Sequence, residues 1–436
     1  MLARLGISEL SEMQKNAGEV IRHNNNVVLL APTGTGKTLA FLLPLLDALK
    51  PEEDKVQVLI LSPTRELANQ TFSVLNSLKS GLRAVCIHGG RPTMDEHRQI
   101  NALRPQVIVG TPGRVNDHLD KENFQVNKTE ILVIDEFDKM LELKFQDELS
   151  NIINRLHGLT RTILVSATNA KEIPDFVDFH KHPVTLNYLG DGNAALPSSI
   201  HHFSVHSEQK DKLETLRNLL SKLNGEQAVV FVGYRESVDR IGTFLRKQGF
   251  SCSLFHGGLE QEDRERALYM FAGGAVNVLV STDLSARGLD IPTLRNVIHY
   301  HLPTHPEDYM HRCGRSGRWE SEGNSFILLG PEEKVPQYDG ITFEDYPLEP
   351  PFPAPKEPQW VTLYLGKGKC DKLSKGDIVG FLCKQGSAKI EDIGRIDIRS
   401  HYSYVTVRRT KSKQILKQAT GEKIKKMSTK IELMKG

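Results

Sequence analysis

The stretch Val27-Val28-Leu29-Leu30-Ala31-Pro32-Thr33-Gly34-Thr35-Gly36-Lys37-Thr38-Leu39-Ala40-Phe41 decides the fold. Its apolar run reads as a buried strand, the glycines as a loop, and Lys37 onward as the start of a helix. Strand, glycine loop and helix in that order form the setting of a phosphate-binding loop. Backbone N–H groups of such a loop and of the helix N-terminus suit the β-phosphate of a nucleotide. On this reading Thr33, Gly34, Thr35 and Gly36 make the cradle. Lys37 neutralises the β- and γ-phosphates, and the Thr38 hydroxyl ligates Mg²⁺. The general pattern opens with glycine, whereas Ala31 stands here. The chain is expected to bind a nucleoside triphosphate.

Around this stretch, short β-branched runs alternate with helical segments. Val58–Leu61, Val107–Val109, Ile131–Ile134 and Thr162–Val165 are such runs. The alternation predicts a parallel sheet with helices on both faces. A polar stretch near 189–199 reads as a linker, after which the rhythm resumes at Ala228–Val232, Val276–Val280 and Asn296–His299. The halves resemble copies: His88-Gly89-Gly90 is echoed by His256-Gly257-Gly258, and Gly110-Thr111-Pro112 by Ser281-Thr282-Asp283. Two ordered matches favour duplication of one α/β unit. Residues 331–358 are rich in proline and acid and read as a semi-rigid extended linker. The remainder reads βαββαβ, with strands at 361–366, 393–399, 402–409 and 426–434 and helices near Lys375–Lys384 and Ser412–Ala419.

A chain of 436 residues is long enough for two or three domains. It holds no apolar run of membrane-spanning length and no signal-peptide pattern, and its five cysteines lack paired metal-ligand spacing. A cytoplasmic setting with no membrane partner is expected. Charge is uneven. From Trp360 to Gly436 there are 18 basic and 7 acidic residues, leaving 38 basic and 47 acidic in the first 359. A basic module on an acidic body points to a polyanionic partner for the tail.

The strand Ile131–Ile134 runs into Asp135-Glu136-Phe137-Asp138. Carboxylates at the C-terminal edge of a parallel sheet, beside a phosphate loop, suit a bound Mg²⁺. Asp135 is the expected metal partner and Glu136 the expected base or orienter for an attacking water. In the second half, His311-Arg312-Cys313-Gly314-Arg315-Ser316-Gly317-Arg318 spaces its arginines three apart. Such side chains entering from a separate domain act as arginine fingers.

At this point the residues resemble a family. Ala31–Thr38, Pro63–Ala68, Thr111–Arg114, Asp135–Asp138, Ser166–Thr168, Ala286–Asp290 and His311–Arg318 are similar, in order, to the motifs of the DEAD-box RNA helicases. The resemblance spans roughly 5–330 and implies an α/β chain with two RecA-like parallel-sheet domains that bind ATP, Mg²⁺ and single-stranded RNA. It makes Gln14 an adenine reader, Asp290 a ribose contact, Arg315 and Arg318 the fingers, and Asp138, Ser166 and Thr168 the coupling set. It further implies RNA contacts at Arg65, Gly90, Thr111, Gly113 and Arg114, and at Gly233, Gln261, Arg264 and Thr282. Arginines, hydroxyls and glycine amides suit phosphate oxygens and carry no base code. Phe137 departs from the family's alanine, and its bulk is expected to alter packing near the nucleotide or near Ser166–Thr168.

The tail order and charge suggest a small α+β RRM-like domain, with Tyr364, Tyr402 and Tyr404 placed to stack bases. Lys372–Gly380 and Ile393–Ile398 resemble the C-terminal RNA-binding domain of the bacterial DEAD-box protein A group, which implies ribosomal RNA and pre-ribosomal particles as partners. The expected organisation is a RecA-like ATP-binding domain (1–188), a linker (189–199), a second RecA-like domain (200–330), a Pro-rich linker (331–358) and the RRM-like domain (359–436). An ATP-dependent RNA helicase is the leading expectation. An ATP-gated RNA clamp with little turnover is the alternative, favoured by Phe137 alone.

Overall fold

The computed structural model describes residues 7–32, 34–90, 92–168, 177, 182–189, 200–282, 294–303, 305–313, 322–338 and 340–434. In the first unit, strands β1 (Asn26–Leu30), β2 (Val58–Leu61), β3 (Ala84–Ile87), β4 (Val107–Gly110), β5 (Ile131–Ile134), β6 (Arg161–Ser166) and β7 (Val184–Asn187) form one sheet. Their order is β3-β4-β2-β5-β6-β1-β7, and every pairing is parallel. Helices α1 (Glu12–His23), α2 (Lys37–Ala48), α3 (Arg65–Leu78), α4 (Thr93–Leu103), α5 (Pro112–Asp120), α6 (Phe137–Glu142) and α7 (Gln146–Ile153) connect and flank the strands. Strand side chains alternate between faces. Val28, Leu30, Leu132 and Ile134 therefore enter one apolar cluster, while Val27, Leu29, Ile131 and Val133 enter another on the opposite face. Two covered faces explain why these strands are continuous apolar runs.

Phe137 opens α6 directly after the acidic turn and is 2% exposed, within the cluster that holds Leu30, Ile134 and Leu164. Its bulk is accommodated by the core of this unit.

The second unit repeats the scheme. Strands β8 (Ile200–His206), β9 (Ala228–Val232), β10 (Cys252–Phe255), β11 (Val278–Thr282), β12 (Asn296–His299), β13 (Gly323–Leu329) and β14 (Glu344–Asp345) form a parallel sheet in the order β10-β11-β9-β12-β13-β8-β14. Helices α8 (Leu213–Lys222), α9 (Arg235–Lys247), α10 (Gln261–Ala272) and α11 (Pro306–Cys313) intervene along the chain. The described residues of the Pro-rich segment form no helix, and the segment is tied down. β14 adds an edge strand beside β8, and the Tyr346 N–H donates to the Ser204 carbonyl at 2.8 Å. The Tyr346 ring stands edge-on to Phe203 and Phe326 at 5.4 and 5.3 Å.

The C-terminal module is compact with this second sheet and has its own core. Strands β15 (Trp360–Leu365), β16 (Ile393–Ile398), β17 (Ser403–Arg408) and β20 (Ile431–Leu433) pair antiparallel in the order β16-β17-β15-β20. Helices α12 (Lys375–Lys384) and α13 (Arg409–Ala419) supply Ile378, Leu382 and Ile415 to a core shared with Leu363, Leu365, Val405 and Val407. The strand expected at 426–434 is divided. Lys425 and Lys426 both take positive φ, closing a hairpin between β18 (Lys423–Ile424) and β19 (Met427–Ser428), and only β20 reaches the main sheet. Two successive left-handed residues are the requirement of a tight two-residue hairpin turn.

Replacing Phe137 by alanine is expected to destabilise the first unit by about 3 kcal/mol, the cost of truncating a buried phenylalanine. Urea unfolding followed by far-UV circular dichroism checks this: an unchanged transition would mean the ring contributes little packing.

Candidate functional site

In a parallel sheet all strands end at one edge, so the loops after β1, β5 and β6 converge there. β6 is bonded to β1 on one side and β5 on the other. The loop after β1 holds Gly34 and Gly36 at φ 85° and 86°, and Gly36 precedes α2 with no side-chain cap. A side chain at position 36 would also collide with Gln14, whose Nε2 donates to the Gly36 carbonyl at 3.2 Å. The Gln14 Oε1 meanwhile accepts from the Ser11 N–H at 3.0 Å. The expected adenine reader thus ties the start of α1 to the phosphate loop and keeps one amide proton for a ligand. Lys37 Nζ donates to the carbonyls of Ala31 and Pro32 at 2.5 and 3.2 Å, curling the loop around its own ammonium.

At the end of β5, Asp135 Oδ1 accepts the Glu136 N–H at 3.0 Å. Glu136 adopts φ 49°, a left-handed conformation that costs a non-glycine residue about 1–3 kcal/mol. Asp138 Oδ2 accepts from Thr168 Oγ1 at 2.6 Å, and Ser166 Oγ donates to the Thr168 carbonyl at 2.6 Å. The three expected coupling residues form one hydrogen-bonded chain joining β6 to α6. Thr33, Asp290, Arg315 and Arg318 lie outside the described residues.

Of the expected RNA contacts in the first unit, Thr111 precedes α5, Gly113 lies in its first turn, and Gly90 follows β3 at φ 89°. Arg65 opens α3, and its guanidinium lies against Gly89, where an added Cβ would stand 2.8 Å away. Arg114 is held inward. Its Nε bonds Glu96 Oε2 at 2.7 Å and its Nη1 bonds Thr93 Oγ1 at 2.7 Å. Buried His118 also meets Glu96, at 2.9 Å. Burial opposes ionisation of Glu96, yet His118, the His88 N–H and Arg114 together hold its carboxyl below the ordinary value. Sequence reading missed this cluster. Its members come from α4, α5 and the end of β3, and no local spacing links Glu96 to Arg114 and His118.

In the second unit, Gly233 follows β9 and Thr282 ends β11 at the same sheet edge. The Gly233 N–H donates to His301 Nδ1 at 3.0 Å, so a histidine not anticipated from sequence orients that amide. Gln261 and Arg264 are buried in α10. Gln261 Nε2 donates to Glu265 at 3.3 Å, and the Arg264 guanidinium lies 5.2 Å from the centre of the Phe255 ring. In the tail, Tyr364 and Tyr402 are half-buried and stack at 5.7 Å. Tyr404 is 4% exposed, with its ring against Tyr269 of α10 at 5.1 Å. Its expected base-stacking face is covered by the protein itself.

Asp135 tests the fit of a cation. Its carboxyl is buried, and burial, reinforced by the charge of Glu136 and opposed by Lys37, pushes its pKa up to about 7. An under-neutralised buried carboxylate is the group a divalent cation would relieve. Among the described residues no cluster of His, Cys, Asp and Glu could hold a metal by itself. Mg²⁺ characteristically combines one or two protein ligands with substrate phosphates. Linkage gives the sign of a further consequence. A carboxyl whose folded pKa is raised leaves the native state binding more protons than the unfolded chain between about pH 4 and 7, so stability falls as pH rises through that window. Asp135→Asn is therefore expected to raise the melting temperature of the nucleotide-free protein at pH 8 and to have a smaller effect at pH 4. Equal shifts at both values would argue against a raised Asp135 pKa.

Comparison with known proteins agrees with this geometry. Residues 11–176 match the DEAD/DEAH box helicase family, 211–320 the helicase conserved C-terminal domain, and 362–433 the DbpA RNA binding domain. The chain is 32% identical to the ATP-dependent RNA helicase DbpA of Escherichia coli, over 100% of its own length and 96% of that protein. It is 30% identical to the Bacillus subtilis protein of the same name, over 99% and 96% of the two lengths. Among solved structures it is similar to S. cerevisiae Dbp5 bound to RNA and ADP BeF3, with a TM-score of 0.69 and 28% identity, covering 76% of this chain and 86% of that one. With both halves of the core and the tail matched along nearly the whole length of such relatives, the chain belongs to the DEAD-box family of ATP-dependent RNA helicases.

Proposed function

We propose that the chain is an RNA-stimulated ATPase that locally unwinds or remodels RNA duplexes, directed by its tail to ribosomal RNA in pre-ribosomal particles in the cytoplasm. The observation that carries this reading is the meeting of Lys37, Asp135 and Glu136 at one sheet edge, in a chain whose tail is similar to a DbpA RNA binding domain. No described helix is long and apolar enough to cross a membrane. The working division is an ATP-binding domain (1–188), a second helicase domain (200–330) and the RRM-like tail (359–436), with 189–199 and 331–358 between them.

In this reading Gln14 and the loop Thr33–Gly36 seat ATP, and Lys37 neutralises its phosphates. Thr38 and Asp135 would hold Mg²⁺, which supplies charge neutralisation at the phosphates when bound. Glu136, in the left-handed turn that follows β5, orients the attacking water and takes its proton. Arg315 and Arg318 bring positive charge to the γ-phosphate, and Asp290 contacts the ribose. The chain Asp138–Thr168–Ser166 passes the state of the nucleotide from the acidic turn to the end of β6. Arg65, Gly90, Thr111, Gly113, Gly233, Gln261, Arg264 and Thr282 meet the RNA backbone. Arg114 acts largely by bracing α5 against Glu96. Phe137 is buried in the core of the first unit, and the alternative reading, an ATP-gated clamp with little turnover, is separated from this one by the turnover measurement.

Steady-state ATP turnover without nucleic acid, with generic RNA and with bacterial ribosomal RNA tests the proposal. Strong stimulation, reached at the lowest concentration with ribosomal RNA, is expected, and RNA binding without turnover would overturn it. Glu136→Gln is expected to bind ATP and RNA but lose roughly 10²-fold or more in turnover, the scale of a general base. Removing Trp360–Gly436 is expected to keep turnover driven by saturating generic RNA while abolishing the preference for ribosomal RNA. Retention of that preference would rule out the tail as the targeting module.

A further inference from the structure

Every fourth residue along α10 and its C-cap does related work. Gln261, Glu265, Tyr269 and Gly273 fall at i, i+4, i+8 and i+12, and so lie along one stripe that winds about 40° round the helix at each step. Gln261, a candidate RNA contact, donates to Glu265. Glu265 Oε2 then meets Arg399 Nη1 of the tail at 3.4 Å, and Asp397 steadies the same guanidinium at 2.9 Å. One turn on, the Tyr269 hydroxyl donates to the Arg395 carbonyl while its ring lies against Tyr404. At the end of the helix, a Cβ on Gly273 would come within 2.6 Å of Thr406 Cγ2, and one on Gly274 within 3.4 Å of the Trp360 ring. Tyr269, Tyr404 and Thr406 are 3%, 4% and 1% exposed. The Asn277 side chain also holds the Lys356 carbonyl at 2.9 Å, fixing the segment that leads into the tail. A loosely tethered module would not bury an aromatic pair with its hydroxyl satisfied and require glycine opposite a threonine.

We propose that this stripe of α10 is a positioning element: it holds the tail at a fixed place relative to the RNA-contact edge of the second sheet, so that the enzyme acts on duplexes at a set distance from the RNA the tail grips. The distance along the helix from Gln261 to Gly273 is about 18 Å. Tyr269 and Gly273 are positioning residues, acting through the tail rather than on RNA. The inference rests on the reading that the tail binds ribosomal RNA. It gives Tyr404 a structural task in place of base stacking.

The experiment anneals short labelled oligonucleotides at a series of sites along purified bacterial ribosomal RNA and measures which ones the full-length enzyme displaces. The wild type is expected to displace those within a narrow window. The Cβ of Thr406 lies 3.8 Å from the Cβ position of residue 273, within the span of a disulfide. Gly273→Cys with Thr406→Cys, in a Cys370→Ser, Cys383→Ser background, is therefore expected to cross-link under mild oxidation and to keep the same window. Tyr269→Ala should broaden the window and lower displacement at its centre by about tenfold, the scale of a misplaced substrate. Its half-maximal ribosomal RNA concentration for ATPase should stay unchanged. Thr406→Arg, altered only on the tail, should reproduce the effect even if Tyr269→Ala folds poorly. Failure to cross-link, loss of displacement on oxidation that reductant restores, or a window unmoved by both release variants would each overturn the proposal. A window that survives deletion of Trp360–Gly436 would instead sink the targeting reading, so the two failures are distinguishable.

Discussion

Hydrogen bonding of β6 between β1 and β5 is the constraint on which the nucleotide edge depends. Neighbouring strands stand about 4.8 Å apart, so the phosphate loop and the acidic turn are held two spacings, roughly 10 Å, from one another. The end of β6 lies between them. Ser166 sits at that end, and the Asp138–Thr168 bond crosses from it to α6. Because these strands are bonded in parallel register, a shift in any one would displace a charge relative to the phosphates. The covered faces make such a shift costly, since a one-residue slip would exchange the two apolar clusters.

The nucleotide edge was legible in the sequence because each of its parts is local. A glycine loop between strand and helix, or a run of carboxylates after an apolar strand, declares itself within a few residues. The parallel sheets followed from continuous apolar runs, and the tail order βαββαβ from alternating periodicities. The Glu96–Arg114–His118 cluster was not legible, because two separate helices, α4 and α5, must pack before its charges meet. The hydroxyl-rich, arginine-containing Thr111–Arg114 turn read as a phosphate contact, and the partner that draws Arg114 inward lies eighteen residues upstream. His301 was missed for the same reason, since nothing near Gly233 in sequence announces the ring that orients its amide.

The tail shows a different limit. Tyr402 and Tyr404 share one side of a strand, which sequence alone identifies, but pattern cannot say what that side faces. An outward aromatic face is equally suited to a base and to another aromatic side chain, and here Tyr269 occupies Tyr404. The Pro-rich segment had the composition of a spacer, yet Tyr346 seats it on Phe203 and Phe326. A segment anchored by single aromatic residues among prolines keeps the composition of a linker while behaving as part of the fold. The four-residue spacing of Gln261, Glu265, Tyr269 and Gly273 was present in the sequence all along, and the mixed chemistry of those residues concealed it.

The contact between Gln14 and Gly36 bears on how such a chain can diverge. The amide of Gln14 fills the space a side chain at position 36 would need, and the positive φ of Gly36 bars most side chains even if that space were cleared. The two positions are therefore coupled in one direction only. A lineage that lost the glutamine would gain no freedom at the glycine, whereas any replacement of the glycine would expel the glutamine from its seat. Variation at position 14 should consequently leave the glycine in place, whereas variation at position 36 requires position 14 to change as well.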